Sequence, residues 1–123
     1  MSGFSGGGAI YTPWTSTSPA VTSSTGTLTS ASCSLKYKLL GKTAIFTATV
    51  TVTTAGTGTD NLLFTLPFTP ISAHAGGGKE IAAVGYQCNW QTNAAQMIIA
   101  KYDNTTIIAS GRVIVITGTI EVA

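Results

Sequence analysis

The chain reads as all-β, an antiparallel sandwich or jelly roll of about seven to eight short strands. Three observations carry that reading. Phe46 to Thr54 alternates apolar and hydroxyl side chains almost without a break. Turn-forming residues recur roughly every 8 to 12 positions, the spacing of sandwich strands. No stretch keeps the 3.6-residue apolar period of a helix.

In chain order, residues 1–10 read as a flexible Gly/Ser-rich lead or linker, richest from Ser2 to Gly8, and residues 11–123 as a single sandwich domain. Tyr11 to Thr15 is a short extended piece. Pro13 confines it to an edge or an entry position, because proline has no N–H for a ladder. After a Ser/Thr-rich stretch to Thr25, a strand from about Leu28 to Leu39 sets Ala31, Cys33, Leu35, Tyr37 and Leu39 on one face. Ser30, Ser32, Ser34, Lys36 and Lys38 take the other.

Leu40-Gly41-Lys42 is short enough to turn a hairpin into the Phe46 to Thr54 strand. There Phe46, Ala48, Val50 and Val52 face a core and Thr47, Thr49, Thr51 and Thr53 face outward, the β-branched threonines stiffening the extended backbone. Ala55 to Asp60 is a turn, Asn61 to Leu66 a strand, and Pro67-Phe68-Thr69-Pro70 its stop. Ser72 to Gly78 reads as a loop. Strands are expected at about Glu80 to Cys88, Gln96 to Tyr102, Thr106 to Ala109 and Arg112 to Val122. Between them lie loops at Asn89 to Ala95, Asp103 to Thr105 and Ser110-Gly111.

Composition bounds the function. At 123 residues the chain is one domain, large enough to bury a core. Charged residues are 8% of it, against about 25% in an average protein, so the polar surface must come from Thr, Ser, Asn and Gln. The net charge of +2 is scattered over Lys36, Lys38, Lys42, Lys79, Lys101 and Arg112 with no block of one sign, which argues against nucleic acid as a partner. The first residues lack the basic start and apolar run of a secretory signal. No apolar run approaches the ~20 residues of a membrane helix, so no membrane insertion is expected. The chain is expected to be soluble and made in a cytoplasm. Cys33 and Cys88 are then expected to stay thiols, a bridge between two strands being the other reading.

No motif commits the chain to catalysis. Asp60, Glu80, Asp103 and Glu121 show no spacing that demands the converging pair of a glycosidase. His74 is the only histidine and reads as a loop residue, unless copies meet on a symmetry axis. Gly76-Gly77-Gly78-Lys79 lacks the spacing of a phosphate loop, and Asn104-Thr105-Thr106 is a glycosylation sequon only on paper. No metal and no cofactor are implied.

Two clusters suit a sugar. Asn89, Trp90 and Gln91, and then Tyr102, Asp103 and Asn104, set an aromatic ring beside amides or a carboxylate. A ring offers area to the C–H face of a saccharide, and amides meet its hydroxyls. These six are the candidate receptor-binding residues. For Trp90, burial in a core or a subunit contact is the competing reading, and Trp14 is assigned to packing or to a subunit junction. A 44% hydrophobic chain, with Ile45 on the threonine side and Met97, Ile98 and Ile99 consecutive, leaves apolar area for copies of itself to cover.

Pro13-Trp14-Thr15, Tyr37-Lys38-Leu39-Leu40-Gly41-Lys42, the Phe46 to Thr54 strand, Gly56-Thr57-Gly58, Leu66-Pro67-Phe68 and Thr117-Gly118-Thr119 occur in this order. In that order and spacing the chain resembles the C-terminal head domains of bacteriophage tail fibres and tail spikes, over about residues 11–123. The resemblance implies a jelly-roll head, assembled as a homotrimer in the virion tail, that recognises a polysaccharide or a protein of the bacterial surface without cleaving it. Other virion proteins would be its neighbours. No shaft is recognisable before residue 11, so the chain is expected to be either a piece that begins at a linker or a separate small product. A trimeric capsid decoration protein is the alternative that the same features would serve.

Overall fold

The computed structural model describes residues 13–123, and the expected lead at 1–10 lies outside them. The described chain is all-β and antiparallel, with nine strands and no helix: β1 Thr15–Thr17, β2 Thr22–Thr25, β3 Ser30–Leu40, β4 Thr43–Thr54, β5 Thr59–Thr65, β6 Ala75–Glu80, β7 Gln87–Asn93, β8 Gln96–Lys101 and β9 Arg112–Glu121. All nine join one curled sheet in the order β1-β3-β4-β9-β6-β7-β8-β5-β2. The sandwich expected from sequence thus takes the form of one sheet bent over its own core. Its two outermost strands, β1 and β2, are consecutive in the chain, and Val21 between them packs on the core.

The β3–β4 hairpin is as its alternation requires. Leu40 pairs with Thr43 around the two-residue turn Gly41-Lys42, and the ladder runs to Ser30 and Thr54. Gly41 sits at φ +61°, a conformation glycine adopts without a Cβ penalty. Phe46, Ala48, Val50 and Val52 are fully buried, whereas Thr47, Thr49 and Thr51 are half-buried on the outer face. β9 lies along the other side of β4, with Phe46 opposite Gly118 and Val50 opposite Ile114.

From the other half of the sheet, Leu62 and Phe64 on β5, Trp90 on β7 and Met97 and Ile99 on β8 complete one core cluster. The Phe46 and Trp90 rings meet edge to face at 5.0 Å across it, a geometry favoured by the ring quadrupoles. Met97 and Ile99 point inward and Ile98 outward, so the consecutive apolar run is mostly core.

Four local readings are corrected. Ala75 to Gly78, expected as a loop, belongs to β6. The reason is volume: a Cβ on Gly78 would lie 2.4 Å from the Val115 carbonyl oxygen and 2.6 Å from Ile116, and one on Gly76 would enter the Trp90 ring. Residues 81–86, expected as strand, form a loop folded round the Glu80 carboxylate. Asn89 to Asn93, expected as a loop, is strand β7, which turns into β8 at Ala94, in the left-handed region at φ +52°. Thr106 to Ala109 is not a strand, although Ile107 and Ile108 are buried, and the Ile107 N–H is satisfied by the Asp60 carbonyl at 3.0 Å. The Ser/Thr-rich stretch also contains β2, which pairs with β5.

Candidate functional site

The outer face of β5, β8, β7 and β6 carries the site. Strand alternation on β7 turns Cys88, Trp90 and Thr92 inward and leaves Asn89 and Gln91 exposed. Across the ladder Asn89 stands opposite Ala100 and Gln91 opposite Ile98. One step beyond the Leu62–Ile99 pair of β5 and β8, Asn61 brings a third amide to the same face. Asn104 brings the fourth from the turn after β8. It adopts φ +61°, which asparagine tolerates better than most residues, and its N–H donates to the Lys101 carbonyl at 3.0 Å.

Together Asn61, Asn89, Gln91 and Asn104 surround a concavity of about 550 Å³ with Ile98 and Ala100 in its lining. Ala75 and Gly76 of β6 complete the lining on that side. None of the four amide side chains has a hydrogen-bond partner among the described residues. Beside the groove, several hydroxyls are tied down. The Thr25 hydroxyl donates to the Asp60 carboxylate at 2.6 Å, the Asn61 N–H to Ser24 Oγ at 2.9 Å and the Ala55 N–H to Ser110 Oγ at 3.0 Å. The groove therefore presents four carbonyl acceptors and their amide donors with no internal claim on them.

Of the six sequence candidates, Asn89, Trp90, Gln91 and Asn104 border the groove. Trp90 is the correction: it is 2% exposed, its indole N–H donates to the Thr117 carbonyl at 3.1 Å, and its ring lies in the core against Phe46. A strand in place of the expected loop gives it the inward parity. Tyr102 is 58% exposed and stands outside the groove lining, with Lys101 Nζ 5.8 Å from its ring centroid and 5.0 Å from that of Tyr86. Asp103 closes the turn, accepting from the Thr105 hydroxyl at 2.6 Å and N–H at 3.1 Å. Those bonds, the hydroxyl one foremost, hold its carboxyl below the usual range. Asn61 was missed, since only the β5–β8 register brings it alongside Asn89.

Glu80 is the other unusual carboxylate. It is fully buried, and its two oxygens accept from the N–H groups of Ala82, Ala83, Val84, Gly85 and Val113 at 2.7 to 3.1 Å. Burial alone would raise its pKa, but the N–H donors outweigh that and hold the carboxyl far below its ordinary value. The arrangement is structural, a charge enclosed by its own loop, with Ile81 and Val84 turned out to solvent.

His74 is likewise engaged. Its Nδ1 lies 2.8 Å from the Ser72 carbonyl and its Nε2 accepts the Glu121 N–H at 3.2 Å, which sets the proton on Nδ1. Gly76-Gly77-Gly78-Lys79 lies on a strand, not at the start of a helix. Among the described residues no three His, Cys, Asp or Glu gather to hold a metal, and no helix is long and apolar enough to cross a membrane. Trp14 is 43% exposed, with Lys36 and Lys38 Nζ 5.3 and 5.0 Å from its ring centroid.

Comparison of the chain with protein-family models, with curated proteins and with solved structures finds no match.

Proposed function

We propose that this chain is a non-enzymatic recognition head of a bacteriophage tail fibre or tail spike, working as a homotrimer that binds a glycan of the bacterial surface. One observation carries the reading: four amides, Asn61, Asn89, Gln91 and Asn104, converge on one concavity of the sheet's outer face, and none of their side chains is held by a hydrogen bond among the described residues. Amides meet hydroxyl groups as both donor and acceptor, the chemistry that polyol recognition needs. A surface with few ion pairs also suits a particle exposed to changing salt, because hydroxyl and amide contacts are barely screened.

Trimer formation is supported by apolar residues at the end of the molecule where β3 turns into β4. Leu40 is 46% exposed there, and Ile71, 56% exposed, is held alongside by its N–H bond to the Glu121 carbonyl at 2.9 Å. Burying such side chains between copies removes apolar area from water.

The test uses purified protein and host bacteria. The expected result is a trimer by light scattering that coats the cells, blocks phage adsorption and leaves surface polysaccharide at its original chain length. Shortened polysaccharide would show an enzyme instead. An antibody to the protein that labels heads and spares tails would favour the decoration protein over the fibre tip.

A further inference from the structure

The charges around the groove say which glycans it takes. Asn61, Asn89, Gln91 and Asn104 are neutral, and no ammonium or guanidinium lines the concavity. Lys101, the cation closest in sequence to Asn104, has its ammonium over the Tyr86 and Tyr102 rings.

We infer that the groove binds an uncharged saccharide laid across β7, β8 and β5, its neutral amide lining being matched to hydroxyl groups and not to carboxylate or phosphate. An anionic sugar would lose water on entering with no cation in the lining to replace it. A neutral one exchanges hydroxyl–water bonds for hydroxyl–amide bonds. Asn89 and Asn61 stand two strand spacings apart, roughly 10 Å, so a saccharide lying across the strands can meet both amides. The inference rests on the reading of the groove as the receptor site and adds the ligand class to it.

The experiment is binding of the full chain to immobilised polymers. The neutral set is mannan, galactan, dextran and N-acetylglucosamine oligomers. The anionic set is polygalacturonate, hyaluronate and teichoic acid. Expected is binding within the neutral set, unchanged in strength between 50 mM and 500 mM salt, and at least tenfold weaker in the double variant Asn89→Ala/Gln91→Ala. Both side chains are exposed, so circular dichroism and melting of that variant should match the parent.

Binding confined to the anionic set and lost in the Asn89/Gln91 variant overturns the ligand class while leaving the groove as the receptor site. Neutral binding that survives the double variant overturns the groove itself. Binding to no polymer by a protein that still coats host cells overturns the inference and turns the reading toward a surface protein as receptor.

Discussion

A Cβ built on Gly76 would lie 2.6 Å from three atoms of the Trp90 indole, so the tryptophan fills the volume that a side chain at 76 would need. The two residues pair directly across β6 and β7. Gly118 on β9 clears the indole from another direction, its own Cβ position being 2.4 Å from Trp90 Cζ2. The glycine-rich strand and the buried tryptophan are one packing unit.

Gly76→Ala should therefore destabilise the fold by about 1 to 3 kcal/mol, the usual cost of overpacking a filled core. Trp90→Ala should cost about 3 to 5 kcal/mol through the cavity it leaves. The decisive measurement is a double-mutant cycle by urea unfolding. In a Trp90→Leu background, Gly76→Ala should cost well under half of its value in the parent, since the atoms it strikes are gone. An undiminished cost would mean that the glycine is needed for backbone reasons alone.

Glu80 makes a second prediction, with a definite sign. Its folded pKa is depressed by backbone N–H donors. The carboxylate thus contributes stability fully above its unfolded pKa of about 4.3, and loses it as the pH falls below that value toward the folded pKa. Glu80→Gln should be less stable than the parent at pH 7 by roughly 3 kcal/mol, because in either orientation its NH₂ faces backbone donors. That corresponds to a melting temperature lower by about 10 °C. The gap between variant and parent should narrow between about pH 4 and pH 2; a constant gap would remove the charge from the explanation.

The thiols give a third. Cys33 and Cys88 are buried and unbridged, and burial pushes their pKa values up to about 12 and about 11. A thiolate is the reactive form, so the native protein should show no reaction with Ellman's reagent over an hour at pH 8. In guanidinium chloride, two equivalents should react at once, the full cysteine count of the chain. Prompt reaction of a native thiol would contradict the packing of β3 or β7.

These features differ in how far the sequence disclosed them. The β3–β4 hairpin was legible because its alternation and its turn are local. Gly76 to Gly78 was not, because glycine disfavours strands on its own and the reason for it here lies in Trp90 and in the Val115 carbonyl of β9, distant in sequence. Residues 81–86 carry strand-like apolar residues, yet the N–H groups of Ala82, Ala83, Val84 and Gly85 serve the Glu80 carboxylate. Asn89 and Gln91 were legible as a polar pair but were expected on a loop. Strand parity keeps both amides outside and reverses Trp90. Asn61 joins them only through the β5–β8 register, which alternation within one strand cannot give.

Two left-handed glycines separate backbone strain from collision. Gly26 and Gly111 adopt φ +72° and +86°, so alanine at either meets the left-handed penalty of about 1 to 2 kcal/mol. Around Gly111 there is open space within 4 Å, and that penalty should be the whole effect. At Gly26 the new Cβ would also fall 1.9 Å from the Thr57 carbonyl oxygen, where the 55–58 turn docks through the Thr57 N–H bond to the Thr27 carbonyl at 3.2 Å. Backbone atoms would have to move and that bond would open, so Gly26→Ala should cost at least about 2 kcal/mol more than Gly111→Ala, the sum of an overpacked contact and a lost hydrogen bond. Chemical unfolding of the two variants side by side checks this. Equal losses would mean that the turn at 55–58 yields freely and does not anchor the start of β3.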